Sequence, residues 1–409
     1  MVTRTAKSGT AQSRSAESGT AKSRLCTVVA ATAVLAATAA PSVSATPVRH
    51  GHPAPGTVVG SAPLTEDLWV PGTGAAYRLT YTTTDAHGRT ARSTGSVFVP
   101  KGEAPQGGWP VVSWAHGTVG LDDSCAPSLV GSSAQERDLA YLAKWMEQGY
   151  AVVASDYVGL GTKGLMPYLD GRTTAHNVVD MVKAGRNFAE ERLPQSARLS
   201  REWVTIGQSQ GAGAAIYTAR HATEFGGAEL DYRGAVGTGT PAYVEKLVAA
   251  AEPSDEPSSP VTTAYGAYIF AALRDVHPEL RINRVLSREG KEFIDRAEKE
   301  CLRPFEKRIE EAGVSSGDFL DRPVNEIPGF AETVREYMGM PEDGFDQPFF
   351  MAHGTKDKDV PISATAAYAA ALKANGEPVT FATYPTDHSG TMAASQPDTV
   401  PFVRELFAD

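Results

Sequence analysis

The sequence predicts an α/β fold: a mostly parallel sheet with helices on both faces and an inserted helical cap. Three observations carry this. From about residue 75, short β-branched runs alternate with longer amphipathic ones. Several of the short runs are continuously apolar rather than alternating, the pattern of strands buried on both faces. The rhythm breaks once, over residues 242–345, which are charged and helical in pattern, and it resumes at Phe349.

Candidate strands are Tyr77–Thr83, Gly95–Val99, Val111–Ala115, Ala151–Ser155, Val204–Gly207, Ala235–Gly237, Phe349–His353 and Val379–Tyr384. Candidate helices are Ala134–Gln148, Thr174–Glu190, Ala212–His221, Ala364–Asn375 and Val400–Ala408. A chain of 409 residues, 42% hydrophobic and 21% charged, is long enough for one large core with an insertion. The layout is then a core over 71–241, a helical cap over 242–345 and the rest of the core over 346–409. Residues 46–70 are rich in Pro, Gly, Ala and Ser and are expected to form a flexible lead-in.

Residues 1–45 stand apart. A basic stretch is followed by the uncharged run 26–40 and by small residues at Val43-Ser44-Ala45, the pattern of a cleaved secretory signal peptide. Export is therefore expected, with no membrane-spanning segment left afterwards. The formal net charge is −10, and loss of Arg4, Lys7, Arg14, Lys22 and Arg24 against Glu17 makes the remainder more acidic still. Such a chain is a poor candidate for nucleic acid or anionic membrane. Cys125 and Cys301 remain as an even pair, either one disulfide, as export favours, or two buried thiols.

The strongest chemical motif is Gly207-Gln208-Ser209-Gln210-Gly211, between the strand-like Trp203–Ile206 and an alanine-rich helix. That context matches a sharp strand-to-helix turn that exposes a nucleophilic serine at a helix N-terminus. A second match, Gly313-Val314-Ser315-Ser316-Gly317, lies between charged helical segments and is read as a plain loop. Serine needs a base to take its proton, and in this arrangement the acid and then the histidine follow in sequence. His388, in a polar loop after the last strand, is the expected base. His353 opens the preceding loop and is read as structural. Asp357, in His353-Gly354-Thr355-Lys356-Asp357-Lys358-Asp359, is the expected acid, with Asp359 and Asp387 as rivals. The amide of Gln210 and one from Gly117 or Thr118 are the expected oxyanion donors. No metal or phosphate motif occurs, and no cofactor is expected.

As a set these residues resemble the secretory lipase family of the α/β-hydrolase superfamily. The matching pieces are Ala115-His116-Gly117-Thr118, Cys125-Ala126-Pro127-Ser128, Ser155-Asp156-Tyr157-Val158-Gly159-Leu160-Gly161, the Ser209 turn, and the Asp357 and Asp387-His388 loops. The resemblance implies an α/β-hydrolase fold and a triad of Ser209, Asp357 and His388. It also implies a cap over the site and a disulfide from Cys125 to Cys301 in the cap. The implied substrates are lipid or other small carboxylic esters. Leu160, Leu165, Met166, Tyr168 and Leu169 are candidates either to line an acyl tunnel or to pack the core. A serine peptidase, or a binding protein that keeps the fold, are the competing classes.

Overall fold

A computed structural model describes residues 53–408. The expected signal peptide (1–45) and the first residues of the lead-in lie outside the described residues. Among the described residues nine strands form one sheet. They are β1 (Val58–Pro63), β2 (Thr73–Thr84), β3 (Thr90–Pro100), β4 (Trp109–Ala115), β5 (Ala151–Ser155), β6 (Leu199–Gln208), β7 (Asp231–Thr238), β8 (Phe349–Gly354) and β9 (Val379–Tyr384). Their spatial order is β1-β2-β3-β5-β4-β6-β7-β8-β9. The pairings β1–β2, β2–β3 and β3–β5 are antiparallel, and every pairing from β5 to β9 is parallel.

The continuous apolar runs follow from two cores. Alternate side chains of one strand point to opposite faces. Val111, Val153, Trp203, Ala235 and Phe349 enter one core, and Val112, Val152, Val204, Val236 and Phe350 enter the other. Helices α3 (Gly171–Arg192), α4 (Gln210–Gly226) and α10 (Ile362–Ala374) cover the first face. Helices α2 (Gln135–Glu147) and α11 (Thr391–Leu406) cover the second. A single helical turn, α1 (Pro127–Val130), precedes α2. Among the described residues no helix is long and apolar enough to cross a membrane.

Two expectations need correction. The lead-in is not flexible throughout, because Val58–Pro63 forms β1 on the edge of β2. Its Gly, Ser and Pro content hides a strand that pairing, rather than propensity, holds in place, and its proline stands at the strand end where a missing N–H is tolerated. The last helix, expected over Val400–Ala408, begins at Thr391 and runs through Pro397 and Pro401. Those two prolines break the helical pattern in the sequence without ending the helix.

Between β7 and β8 lie α5 (Val244–Ala249), α6 (Pro260–Val276), α7 (Arg288–Ala297), α8 (Leu302–Ala312) and α9 (Phe330–Met338). Their charges form surface ion pairs, such as Arg274 with Asp295 and Glu298, each worth little. Their inner faces are buried through Tyr268, Phe293, Ile294, Phe305 and Ile309. Cys125 and Cys301 form a disulfide that closes a separation of 176 residues and ties the start of α8 to the segment after β4. Beside it the Leu302 N–H donates to the Val119 carbonyl at 2.8 Å.

The turn from β6 into α4 is crowded. A Cβ on Gly207 would run into the Gly211 carbonyl, and one on Gly211 would run into the Ala115 carbonyl. Gly213, by contrast, meets nothing nearer than the Pro241 ring at 3.8 Å. Gly207→Ala or Gly211→Ala should therefore cost about 1–3 kcal/mol or more. Gly213→Ala should stabilise by about 0.5–1 kcal/mol, since its helical backbone accepts alanine. Thermal melts of the three variants check this ordering. Replacing Cys125 and Cys301 together by serine should remove about 2–5 kcal/mol of stability. An unchanged Tm would mean that packing alone holds the cap.

Candidate active site

Ser209 stands between β6 and α4 at φ 59°, ψ −123°. A non-glycine residue in such a conformation costs on the order of 1–3 kcal/mol and persists only where its surroundings impose it. Here the Ser209 N–H donates to the Thr238 carbonyl on β7 at 2.9 Å, and its own carbonyl accepts from Ala212 at 2.8 Å and Gly213 at 3.2 Å. Gln210 is the first residue of α4, so its N–H has no intrahelical acceptor.

The acid and the candidate base meet across two loops. His388 Nδ1 donates to Asp357 Oδ2 at 2.6 Å. The other oxygen, Oδ1, accepts the N–H groups of Asp359 and Val360, each at 2.9 Å. His353, fully buried at the end of β8, brings Nε2 to 3.2 Å from Asp357 Oδ2 and 3.2 Å from the Val360 carbonyl. Both neighbours are acceptors, so His353 Nε2 carries the proton. Burial would push the Asp357 carboxyl up, but hydrogen bonds from His353 and His388 hold it well below the usual carboxylate range. The rivals make other contacts. Asp387 accepts the Gly390 N–H at 2.8 Å within its own turn, and the Asp359 side chain faces the cavities described below.

With its Nδ1 proton given to Asp357, His388 presents a bare Nε2. That atom is buried and has no partner among the described residues. Its ring rests on Gly239, where a Cβ would come within 2.8 Å of Cε1. No hydrogen bond joins Ser209 Oγ to His388 among the described residues, but both side chains line one cavity with Gly117 and Thr118. Contacts of this kind are often long before substrate binds.

The loop after β4 is fixed from below. His116 is buried, stacks on Tyr157 with ring centroids 4.3 Å apart, and donates from Nδ1 to the Gly117 carbonyl at 2.7 Å. Burial keeps its pKa low. Thr118 Oγ1 lies 2.6 Å from the buried hydroxyl of Tyr168. A Cβ placed on Gly117 would lie 3.7 Å from the Ser209 Cβ, so the loop passes directly over the serine. The second G-x-S-x-G forms no such turn: Ser315 caps the short 3-10 turn Ser316–Phe319, and Asp318 caps it in return.

Two cavities meet at Ser209. The first, about 480 Å³, is lined mainly by apolar groups from the cap, including Val244, Leu247, Val248, Ile269, Phe270 and Leu320. Of the five residues considered for an acyl tunnel, Tyr168 and Leu169 line it, whereas Leu160 and Met166 are packed in the core and Leu165 packs against it. The second cavity, about 310 Å³, is polar, with Ser132, Ser133, Arg137, Gln208, Arg303 and Glu306 in its wall. Sequence reasoning read His353 as structural without assigning its contact with Asp357, and it missed Gly239 and Gln208. A histidine ending a strand just before the acid was the one available signal, and nothing marked the other two.

Comparison with known proteins agrees with the architecture. The chain is similar to Candida antarctica lipase A in its closed state, with a TM-score of 0.70 and 20% identity over 87% of this chain and 83% of that one. It is similar to the rice cell wall degrading esterase LipA from Xanthomonas oryzae, with a TM-score of 0.68 and 20% identity over 86% and 98% of the two chains. Among curated proteins it is 26% identical to a probable inactive lipase of Mycobacterium tuberculosis over 88% of this chain and 80% of that protein. It is 25% identical to a secreted triacylglycerol lipase of Malassezia furfur over 66% of this chain and 54% of that protein. A secretory lipase family model matches residues 126–409, and the chain belongs to the secretory lipase family.

Proposed function

We propose that the protein is an exported serine carboxylic ester hydrolase, a lipase or esterase, that works through Ser209, His388 and Asp357. One observation carries this reading: His388 is tied to Asp357 at 2.6 Å while its Nε2 is left bare in the cavity onto which Ser209 opens. Ser209 Oγ attacks the ester carbonyl and its proton passes to His388 Nε2. The amide of Gln210, with that of Gly117 or Thr118, stabilises the oxyanion, and loss of one such donor typically costs about 2.7–4 kcal/mol of barrier. His388 then protonates the departing alkoxide, which leaves an acyl-serine. Water repeats the sequence and releases the acid.

The apolar cavity at Ser209 supports a fatty acyl group over a peptide, and the Malassezia furfur relative supports triacylglycerol as one ester within range. A second reading has an observation behind it. One relative is named as inactive, and Ser209 makes no hydrogen bond to His388 among the described residues, so a catalytically silent member is the alternative. Export rests on the expected signal peptide and on the family.

A fluorophosphonate should label the wild type and not Ser209→Ala. Absence of labelling in the wild type would favour the silent reading. Turnover of a nitrophenyl ester should far exceed that of a peptide anilide, and the reverse would favour a peptidase. His388→Ala should keep its fold and lose on the order of 10³-fold or more in turnover, because the three residues act as a unit.

Asp357 also predicts a pH dependence of stability. Its folded pKa lies below the unfolded value of about 3.9. The stability it contributes is present above that value and is lost as pH falls through the folded value. The Tm difference between wild type and Asp357→Asn should therefore be constant above about pH 5 and shrink in stronger acid. A difference that does not change with pH would mean the carboxylate is unperturbed.

A further inference from the structure

The two cavities at Ser209 differ in chemistry, and His388 gives the difference a direction. It lines the polar cavity and not the apolar one. The departing alkoxide must take its proton from His388 Nε2, so the alcohol leaves on the polar side. The acyl group then stays on the apolar side.

Gln208 gives the polar side a specific recognition group. It is 2% exposed. Its Nε2 is buried without a partner among the described residues, and it lines the polar cavity beside Thr118 and His388. A buried amide with no partner is a standing cost to the fold and calls for an explanation. A hydroxyl on the substrate would relieve it. The charges of the cavity argue against an anionic head group. Arg137 is held by Asp138 at 2.7 Å and Arg303 by Glu306 at 3.0 Å, and Asp359 adds another carboxylate. Among the described residues of the wall, the carboxylates Asp138, Glu306 and Asp359 outnumber the cations Arg137 and Arg303.

We propose that the polar cavity is the leaving-alcohol site and that Gln208 donates a hydrogen bond to a hydroxyl of that alcohol. The preferred substrates are then fatty-acyl monoesters of small, neutral, polyhydroxylated alcohols, such as glycerol or a monosaccharide. This rests on the ester-hydrolase reading above and narrows it. A full triacylglycerol would push two more acyl chains into a chamber walled by serine, arginine and carboxylate groups, which makes it the poorer substrate class.

The test holds the acyl chain constant. The full chain is assayed on 1-monooctanoylglycerol and on hexyl octanoate, as wild type and as Gln208→Leu. Wild type should favour the glycerol ester in kcat/KM by about 10-fold or more, since a site built to bind a hydroxyl discriminates against its absence. In Gln208→Leu the ratio of the two kcat/KM values should fall about 10-fold, mainly through KM for the glycerol ester. Gln208→Glu, which keeps the shape and loses the donor, should lower the ratio in the same direction and stands in if the leucine variant does not fold. A wild-type preference for hexyl octanoate, or a ratio unchanged in both variants, overturns the proposal alone. Hydrolysis of neither ester overturns the ester-hydrolase reading and the proposal with it.

Discussion

The close approach of β6, α4 and β4 at the serine turn is the constraint on which the rest of the site depends. Gly207 and Gly211 let the helix start against the Gly211 and Ala115 carbonyls. That contact forces Ser209 into its strained backbone conformation, and the hydrogen bond to Thr238 holds it there. The strain does useful geometry. It lifts the serine off the strand end and aims the first free amide of α4 at the space above it. Gly239, the residue directly after β7, then forms the floor under His388. Neighbouring parallel strands thus place the serine and the amide, while the imidazole comes from the loop after β9 and rests on Gly239.

The acid is placed by a different device. Asp357 has both carboxylate oxygens engaged, one by two backbone amides and one by two imidazoles. A carboxylate with that many donors stays ionised despite burial. The consequence is a fixed tautomer in His388: one ring nitrogen is committed to Asp357, and the other must face the cavity as a lone pair. His353 contributes from behind the acid, where it touches nothing that a substrate could reach.

How legible all this was depends on whether a feature is local. The strands were legible because burial on both faces leaves an unbroken apolar run, as in Phe349–Ala352. The Ser209 turn was legible because its two crowding glycines are only four residues apart, where a strand passes into a helix. The edge strand β1 was not, since Val58–Pro63 takes its conformation from β2 rather than from its own residues. The full length of α11 was not, because Pro397 and Pro401 look like breaks and are carried by packing on β7 and β8. The charged cap misled in another way. Its Arg and Glu residues are an outer surface, and the apolar wall facing Ser209 comes from residues scattered over α5, α6 and the loop at Leu320, which no single stretch of sequence displays.

Gln208 belongs to the same illegible class, and it shows why. In the sequence it is the variable letter of a five-residue motif, and a glutamine there carries no message. Only the fold makes it informative, by burying an amide beside the nucleophile and giving it no partner. Selection for stability alone would favour an apolar side chain of that size, since replacing an unpaired buried amide removes a desolvation cost. The same holds for the bare nitrogen of His388, whose cost the proposed chemistry would explain. Two residues with buried, unpaired nitrogens line one polar cavity beside one strained serine. The proposed site, which would bind and turn over a hydroxyl-bearing ester, would account for all three together.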